Sequence, residues 1–129
     1  MICDACAETP PPELLKGIEE FNRGEYFEQH ETLELLWRAE TREVRRLYQG
    51  ILQIGVGFHH WRNGNFRGAS LLLRDGIDKT SRFLPSCLGV DTARLCAEAQ
   101  DCLDVLHELG RERLREFDWA RVPRVHLLQ

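Results

Sequence analysis

The chain has 129 residues and a formal net charge of −4, with 43% hydrophobic and 29% charged residues. This composition is typical of a globular protein with one core, and it excludes the disordered and fibrous classes. The apolar runs are too short to span a bilayer, and the negative net charge gives no general attraction to nucleic acid. Residues Met1 to Glu8 show no basic signal segment, so we expect a cytoplasmic protein without nucleic-acid or membrane partners.

Apolar residues recur with the period of an α-helix along the whole chain. Asn65 and Asp91 are expected N-caps of two of the helices. The predicted helices lie between Thr9 and Gly24, from about Glu25 to Glu40, from about Glu43 to Asn63, between Asn65 and Pro85, and between Asp91 and Gly110. The fold class is therefore all-α, with about five helices in one compact antiparallel bundle over residues 1–129. Residues 1–11 are expected to be a loose N-terminus and residues 118–129 a C-terminal tail.

The third predicted helix, about 43–63, contains the uncharged stretch QGILQIGVGF with three glycines. A helix that is apolar nearly all round is a buried one, so we place it at the centre of the bundle. Gly50 and Gly57 are seven residues apart and share a face, where a neighbouring backbone can approach closely.

Polar residues interrupt the apolar face of the second predicted helix. His30 and Glu34 fall inside that face at i, i+4 spacing, within reach of one another, and Glu31 lies at its edge. Trp37 and Tyr26 are expected to wall this polar patch. The third helix carries a matching stripe of Gln49, Gln53 and His60, at i, i+4 and i+11. Because buried polar groups need hydrogen-bond partners, the two stripes are expected to face each other as a buried network.

Three interpretations of this network remain open: a structural network that fixes helix register, a ligand or active-site pocket, and a metal site. The zinc-protease interpretation fails, because that chemistry needs histidines at i and i+4 around the catalytic glutamate. Here Glu34 stands at the second histidine position. We therefore predict no metal and no cofactor, with His59 or His60, but not both, facing the network.

The five cysteines are an odd number in a chain with enough apolar residues to fold without disulfides. Cys87, Cys96 and Cys102 have apolar neighbours and are expected to be reduced, buried thiols. Cys3 and Cys6 form a single C-x-x-C pair, whereas a structural zinc site usually has two.

The tail sequence VPRVHLL is too apolar to prefer water. It is expected either to fold back on its own bundle or to cover a second copy, which makes a homodimer an expectation.

The segments FNRGEYFEQHETLELLW, YQGILQIGVGFHH and GNFRGASLLL, spanning residues 21–73, resemble the domain-of-unknown-function family three-hundred-nine. This is a family of small bacterial, archaeal and plant-plastid proteins. The resemblance implies an all-helical bundle. It implies no established activity and no catalytic role for any residue of this chain.

Two functions are therefore expected. The first is binding of a small ligand in a polar pocket between helices, where His30 and Glu34 would be the acid/base pair if the protein is an enzyme. The second is a non-catalytic interaction or homodimerising module in which the network is purely structural.

Overall fold

The structure is a computed structural model that describes residues 4–128. Five α-helices pack in sequence order, α1 on α2, α2 on α3, α3 on α4 and α4 on α5, which confirms the predicted all-α bundle. Their bounds are Pro12–Asn22 (α1), Tyr26–Ala39 (α2), Arg45–Arg62 (α3), Phe66–Thr80 (α4) and Thr92–Leu109 (α5). Short 3-10 helices cover Asp4–Ala7, Ser81–Phe83, Leu114–Glu116 and Trp119–Arg121.

The ends of the helices follow the expected signals. The side chains of Asn65 and Asp91 accept backbone N–H bonds from Gly68 and Arg94, so both predicted N-caps are confirmed. Gly110 follows α5 with a φ of 66°, a conformation that favours glycine. The fourth helix ends earlier than predicted, because its last turn tightens into the 3-10 helix before Pro85.

Helix α3 lies at the centre of the bundle, as predicted, and ten of its 18 residues are buried. Its glycines allow close packing on α4. A Cβ on Gly50 would lie 2.5 Å from Thr80 Oγ1, and one on Gly57 would lie 2.8 Å from Leu73 Cγ. These contacts confirm the expected close approach and offset the low helix propensity of glycine.

The N-terminal segment contradicts the expectation of a reduced Cys87. Ala5 is buried, and Cys6 forms a disulfide with Cys87 across 81 residues. Leu88 N–H also donates to Cys6 O over 2.8 Å. Ala5 and Cys6 are therefore held against the bundle, while Asp4, Ala7 and Glu8 are exposed, and Cys87 is not a reduced thiol. Cys3 lies outside the described residues.

The C-terminal tail folds back on its own bundle. Asn22, the last residue of α1, holds Val125 at both backbone groups: its Oδ1 accepts from Val125 N at 2.7 Å, and its Nδ2 donates to Val125 O at 3.0 Å. Val125 is buried, and Leu127 forms a bridge with Val90. The apolar residues of the tail are thus covered in part by the same chain. Within residues 4–128, none of the helices is long and apolar enough to cross a membrane.

Candidate functional site

A cleft of about 160 Å³ lies between α2 and α3, and we call it the α2/α3 cleft. Five of the seven residues singled out in the sequence line it together. The lining consists of His30, Glu34, Trp37, Gln49, Leu52, Gln53, Val56 and Leu72. Gln49 and Gln53 of α3 thus lie across one cleft from His30 and Glu34 of α2, because α2 and α3 pack along these turns.

The predicted burial of His30 and Glu34 is wrong. Their side chains are 38% and 31% exposed, and His30 Nε2 lies 3.7 Å from Glu34 Oε2, beyond hydrogen-bond distance. Glu34 Oε1 also accepts a 3.0 Å bond from Arg38 at the surface. The pair is partly open because it stands at the mouth of the cleft and not beneath it.

Two polar atoms of the cleft are buried and lack partners among the described residues: the indole donor Trp37 Nε1 and the amide acceptor Gln53 Oε1. By contrast, Gln49 Oε1 accepts a 3.0 Å bond from Arg46. The guanidinium of Arg45 stacks over Trp37, 5.2 Å from the ring centroid, and fixes that indole at the cleft wall. Trp37 and Gln53 both line the cleft, but these two atoms, Nε1 and Oε1, themselves lie beneath its surface, out of reach of solvent.

Sequence reasoning missed the polar residue that ties α2 to α3. Gln29 is completely buried. With the amide oriented to satisfy both ends, it donates to Ile51 O at 3.3 Å and accepts from His30 N at 3.1 Å. Its side chain fills the space that Gly55 leaves, where a Cβ would lie 3.0 Å from Gln29 Cδ. The sequence signal that could have indicated it is Gly55 in the apolar stretch of α3, because a glycine there leaves room for a polar side chain such as Gln29 from the facing helix.

His60 does not join the cleft, contrary to prediction. It lies in the last turn of α3. There its Nδ1 is 3.4 Å from the Asn65 side chain, and its ring faces Gly68 at the start of α4. Burial, with a smaller contribution from His59, lowers the pKa of His60. His59 points elsewhere and contacts Asn63 at 3.1 Å, so neither histidine faces the cleft.

Two other expected contributors also lie outside the α2/α3 cleft. Tyr26 is buried in an aromatic cluster, with ring centroids 5.7 Å from Phe21 and 6.2 Å from Phe58, so it does not wall the polar patch. Glu31 is exposed and lines a shallow groove on the outer side of α2. Phe27 and Leu35 flank it there and are 60% and 73% exposed.

The cleft does not have the donor set of a metal centre. Within residues 4–128, no three His, Cys, Asp or Glu side chains are grouped so that they could hold a metal ion. The donors that the cleft does present are amide, indole, imidazole and carboxylate groups, which suit hydrogen bonding to a small polar molecule.

The fold defines the chain as an all-helical bundle protein. Residues 14–72 match the model of the family described as "Domain of unknown function (DUF309)", which confirms the resemblance that the motifs indicated. This span contains every residue that lines the α2/α3 cleft.

An "Uncharacterized protein" from Aquifex aeolicus (strain VF5) is 22% identical to the chain over 93 residues. The aligned part covers 70% of this chain and 28% of that protein. The chain therefore spans less than a third of its relative's length, and neither comparison brings an activity with it.

Proposed function

We propose that the chain binds a small polar molecule in the α2/α3 cleft. The observation that carries this proposal is the pair of buried, unpartnered atoms, Trp37 Nε1 and Gln53 Oε1, on two residues that line one cleft, so that a rotation of these side chains would bring both atoms to a bound molecule. An unpaired buried donor or acceptor costs about 1–3 kcal/mol, and a ligand that satisfies both removes that cost. A group that both accepts and donates, such as a primary amide or a hydroxyl, fits this requirement.

The size of the cleft restricts the ligand. Drug-sized ligands occupy pockets of roughly 300–1,000 Å³, whereas this cleft measures about 160 Å³. Only a molecule of a few heavy atoms, or the end of a larger one, can enter. His30 and Glu34 stand at its mouth, and His30 is the residue there that could act as a general acid or base on the bound molecule.

Titration of the 15N-labelled chain with acetamide tests this proposal, because acetamide carries one acceptor and one donor. We expect a saturable shift of the Trp37 indole N–H signal, assigned by its loss in Trp37→Phe. Gln53→Leu removes the acceptor and should weaken binding about tenfold, since one buried hydrogen bond is worth about 1.5 kcal/mol. Gln100→Leu, a change of the same kind on the exposed face of α5, is the matched control. A Trp37 signal that does not respond to acetamide contradicts the proposal.

A non-catalytic interaction or homodimerising module is the second candidate, and a specific observation favours it. Phe27 and Leu35 expose 60% and 73% of their surface on the outer side of α2, where nothing within residues 4–128 covers them. Sedimentation of the intact chain and of Phe27→Ser/Leu35→Ser tests this candidate. Self-association that the double variant abolishes supports it, and an intact chain that stays monomeric at high concentration excludes the homodimer.

A further inference from the structure

A second cleft, of about 350 Å³, lies at the opposite end of α3 from Gln49, between the end of α1 and the C-terminal tail. We call it the arginine cleft. Arg23 at the end of α1, Arg62 in the last turn of α3 and Arg124 in the tail all line it. Among the described residues that line this cleft, none is Asp or Glu. Three cationic side chains therefore converge in a protein whose formal net charge is −4.

Two of these charges are not neutralised within the described chain. Arg62 donates to Gly24 O at 3.0 Å, and Arg124 donates to Asn22 O at 3.4 Å. Neither forms a salt bridge with a carboxylate of residues 4–128. A guanidinium has five N–H donors, so one backbone bond each leaves about four free donors on each side chain. Arg23 pairs with Glu19 outside the cleft.

The cleft is held in shape by packed residues. The guanidinium of Arg62 stacks over Tyr26, 5.1 Å from the ring centroid. The two hydrogen bonds between Asn22 and Val125 hold the tail segment that carries Arg124. Burial raises the pKa of Tyr26 to about 12, so its phenol adds no negative charge near neutral pH. The cationic groups are thus positioned before any ligand arrives.

An aromatic surface borders the cationic groups. Trp119 lines the cleft and is 39% exposed, and its indole is held edge-on by Phe117 at 5.1 Å and Trp61 at 6.1 Å. Convergent guanidinium groups suit phosphate, because they combine charge with directed donors. An exposed indole beside them offers a stacking surface for a flat ring.

We propose that the arginine cleft binds the phosphate group of a small organic phosphate, with Arg62 and Arg124 contacting the phosphate and Trp119 stacking on a ring that the phosphate carries. The cleft is separate from the α2/α3 cleft and shares none of its lining residues. Its volume is at the lower end of the usual range for small-molecule sites, about 300–1,000 Å³, so it accommodates a ligand of the size of a nucleoside monophosphate.

The test is a titration of the 15N-labelled full chain at low salt with inorganic phosphate, adenosine 5′-monophosphate and uncharged adenosine. The chain has three tryptophans. Trp37 lines the α2/α3 cleft and Trp119 lines the arginine cleft, so their indole N–H signals report on the two clefts separately. We expect both phosphates to shift the Trp119 signal saturably, adenosine 5′-monophosphate at lower concentration, and neither to shift that of Trp37.

Arg124→Gln should weaken phosphate binding about tenfold or more, because it removes charge-assisted hydrogen bonds. The matched control is Arg121→Gln, which makes the same charge change three residues away, at a side chain that does not line the arginine cleft. An unchanged Trp37 signal and helical circular dichroism show that each variant is folded. Three results overturn the proposal: no saturable Trp119 shift with either phosphate, an equal shift with adenosine, or equal weakening by Arg121→Gln. Equal affinity for inorganic phosphate and adenosine 5′-monophosphate would contradict the stacking of a ring on Trp119.

Discussion

Trp37 Nε1 on α2 and Gln53 Oε1 on α3 line the same cleft, and neither atom has a hydrogen-bond partner among the described residues. A donor and an acceptor are thus buried on two packed helices, on residues that line one cleft, and neither is satisfied. Since most buried polar groups in native proteins are bonded to protein or water, such a pair is an unusual cost for a stable fold. The cost is accounted for if another molecule supplies the missing partners.

Replacement of Gln53 by leucine should therefore stabilise the free chain. The variant keeps the apolar stem and removes a buried, unpartnered carbonyl, so we expect unfolding to require about 1 kcal/mol more than in the wild type. Gln49→Leu is the matched control, since it breaks the bond from Arg46 and should be neutral or destabilising. Urea unfolding midpoints measure both. A Gln53→Leu variant that loses as much stability as Gln49→Leu would mean that Gln53 Oε1 has a partner in the free protein.

Loss of either member of the His30–Glu34 pair should have little effect on stability. Both side chains are about a third exposed and stand 3.7 Å apart, and Glu34 also has Arg38 as a surface partner. Exposed i,i+4 pairs contribute about 0.3–0.5 kcal/mol, so His30→Ala and Glu34→Ala should each melt within a few degrees of wild type. Thermal unfolding of the two single variants and the double variant checks this. Losses of several kcal/mol would restore the buried network that the sequence indicated.

Reduction of the Cys6–Cys87 disulfide should destabilise the chain. The bond closes a loop across 81 residues, and disulfides of this kind typically contribute about 2–4 kcal/mol. The Cys6→Ser/Cys87→Ser variant should show the same loss and no further response to reductant. Cys96→Ser, at one of the free thiols, should keep the full response. Equal melting of wild type with and without reductant would contradict this account.

The disulfide weighs against the expected cytoplasmic location, because most cytosols keep thiols reduced.

The stability of the chain should decrease as the pH falls, because His60 takes up a proton more readily in the unfolded state than in the folded state. Its pKa is lowered in the folded state, chiefly by burial, so the unfolded chain binds the proton more tightly. The loss begins as pH falls below the ordinary histidine pKa of about 6.5 and is complete below the lowered folded value. His60→Gln should lose less stability between about pH 7 and pH 5 than wild type, because it lacks this titrating group. Melting temperatures across this range measure the difference. Parallel curves for wild type and His60→Gln would contradict it.

Much of the fold follows from local signals in the sequence. Asn65 and Asp91 cap the helices they precede because their short side chains reach the free N–H groups of the first turn. Gly50 and Gly57 approach α4 because their seven-residue spacing places both on one face of α3. The position of His30, Glu34, Gln49 and Gln53 along one cleft follows from the same helical period.

The remaining features depend on contacts between distant segments. The prediction that His60 lies with Gln49 and Gln53 rested on their spacing alone. Eleven residues correspond to about 16 Å of helix, beyond the turns where α2 faces the cleft, and α4 begins there instead. The Cys6–Cys87 pairing escaped prediction, because an odd count of cysteines leaves connectivity undetermined. The periodicity of one helix gives the direction of a side chain but not how deeply its neighbours cover it, so His30 was expected to be buried.

A high-resolution crystal structure of the chain grown with acetamide tests the central claim most directly. The account predicts density for acetamide inside the α2/α3 cleft, with its oxygen within hydrogen-bond distance of Trp37 Nε1 and its nitrogen within hydrogen-bond distance of Gln53 Oε1. A closed cleft, in which Trp37 Nε1 and Gln53 Oε1 bond to each other or to other protein groups and acetamide is excluded, would contradict it.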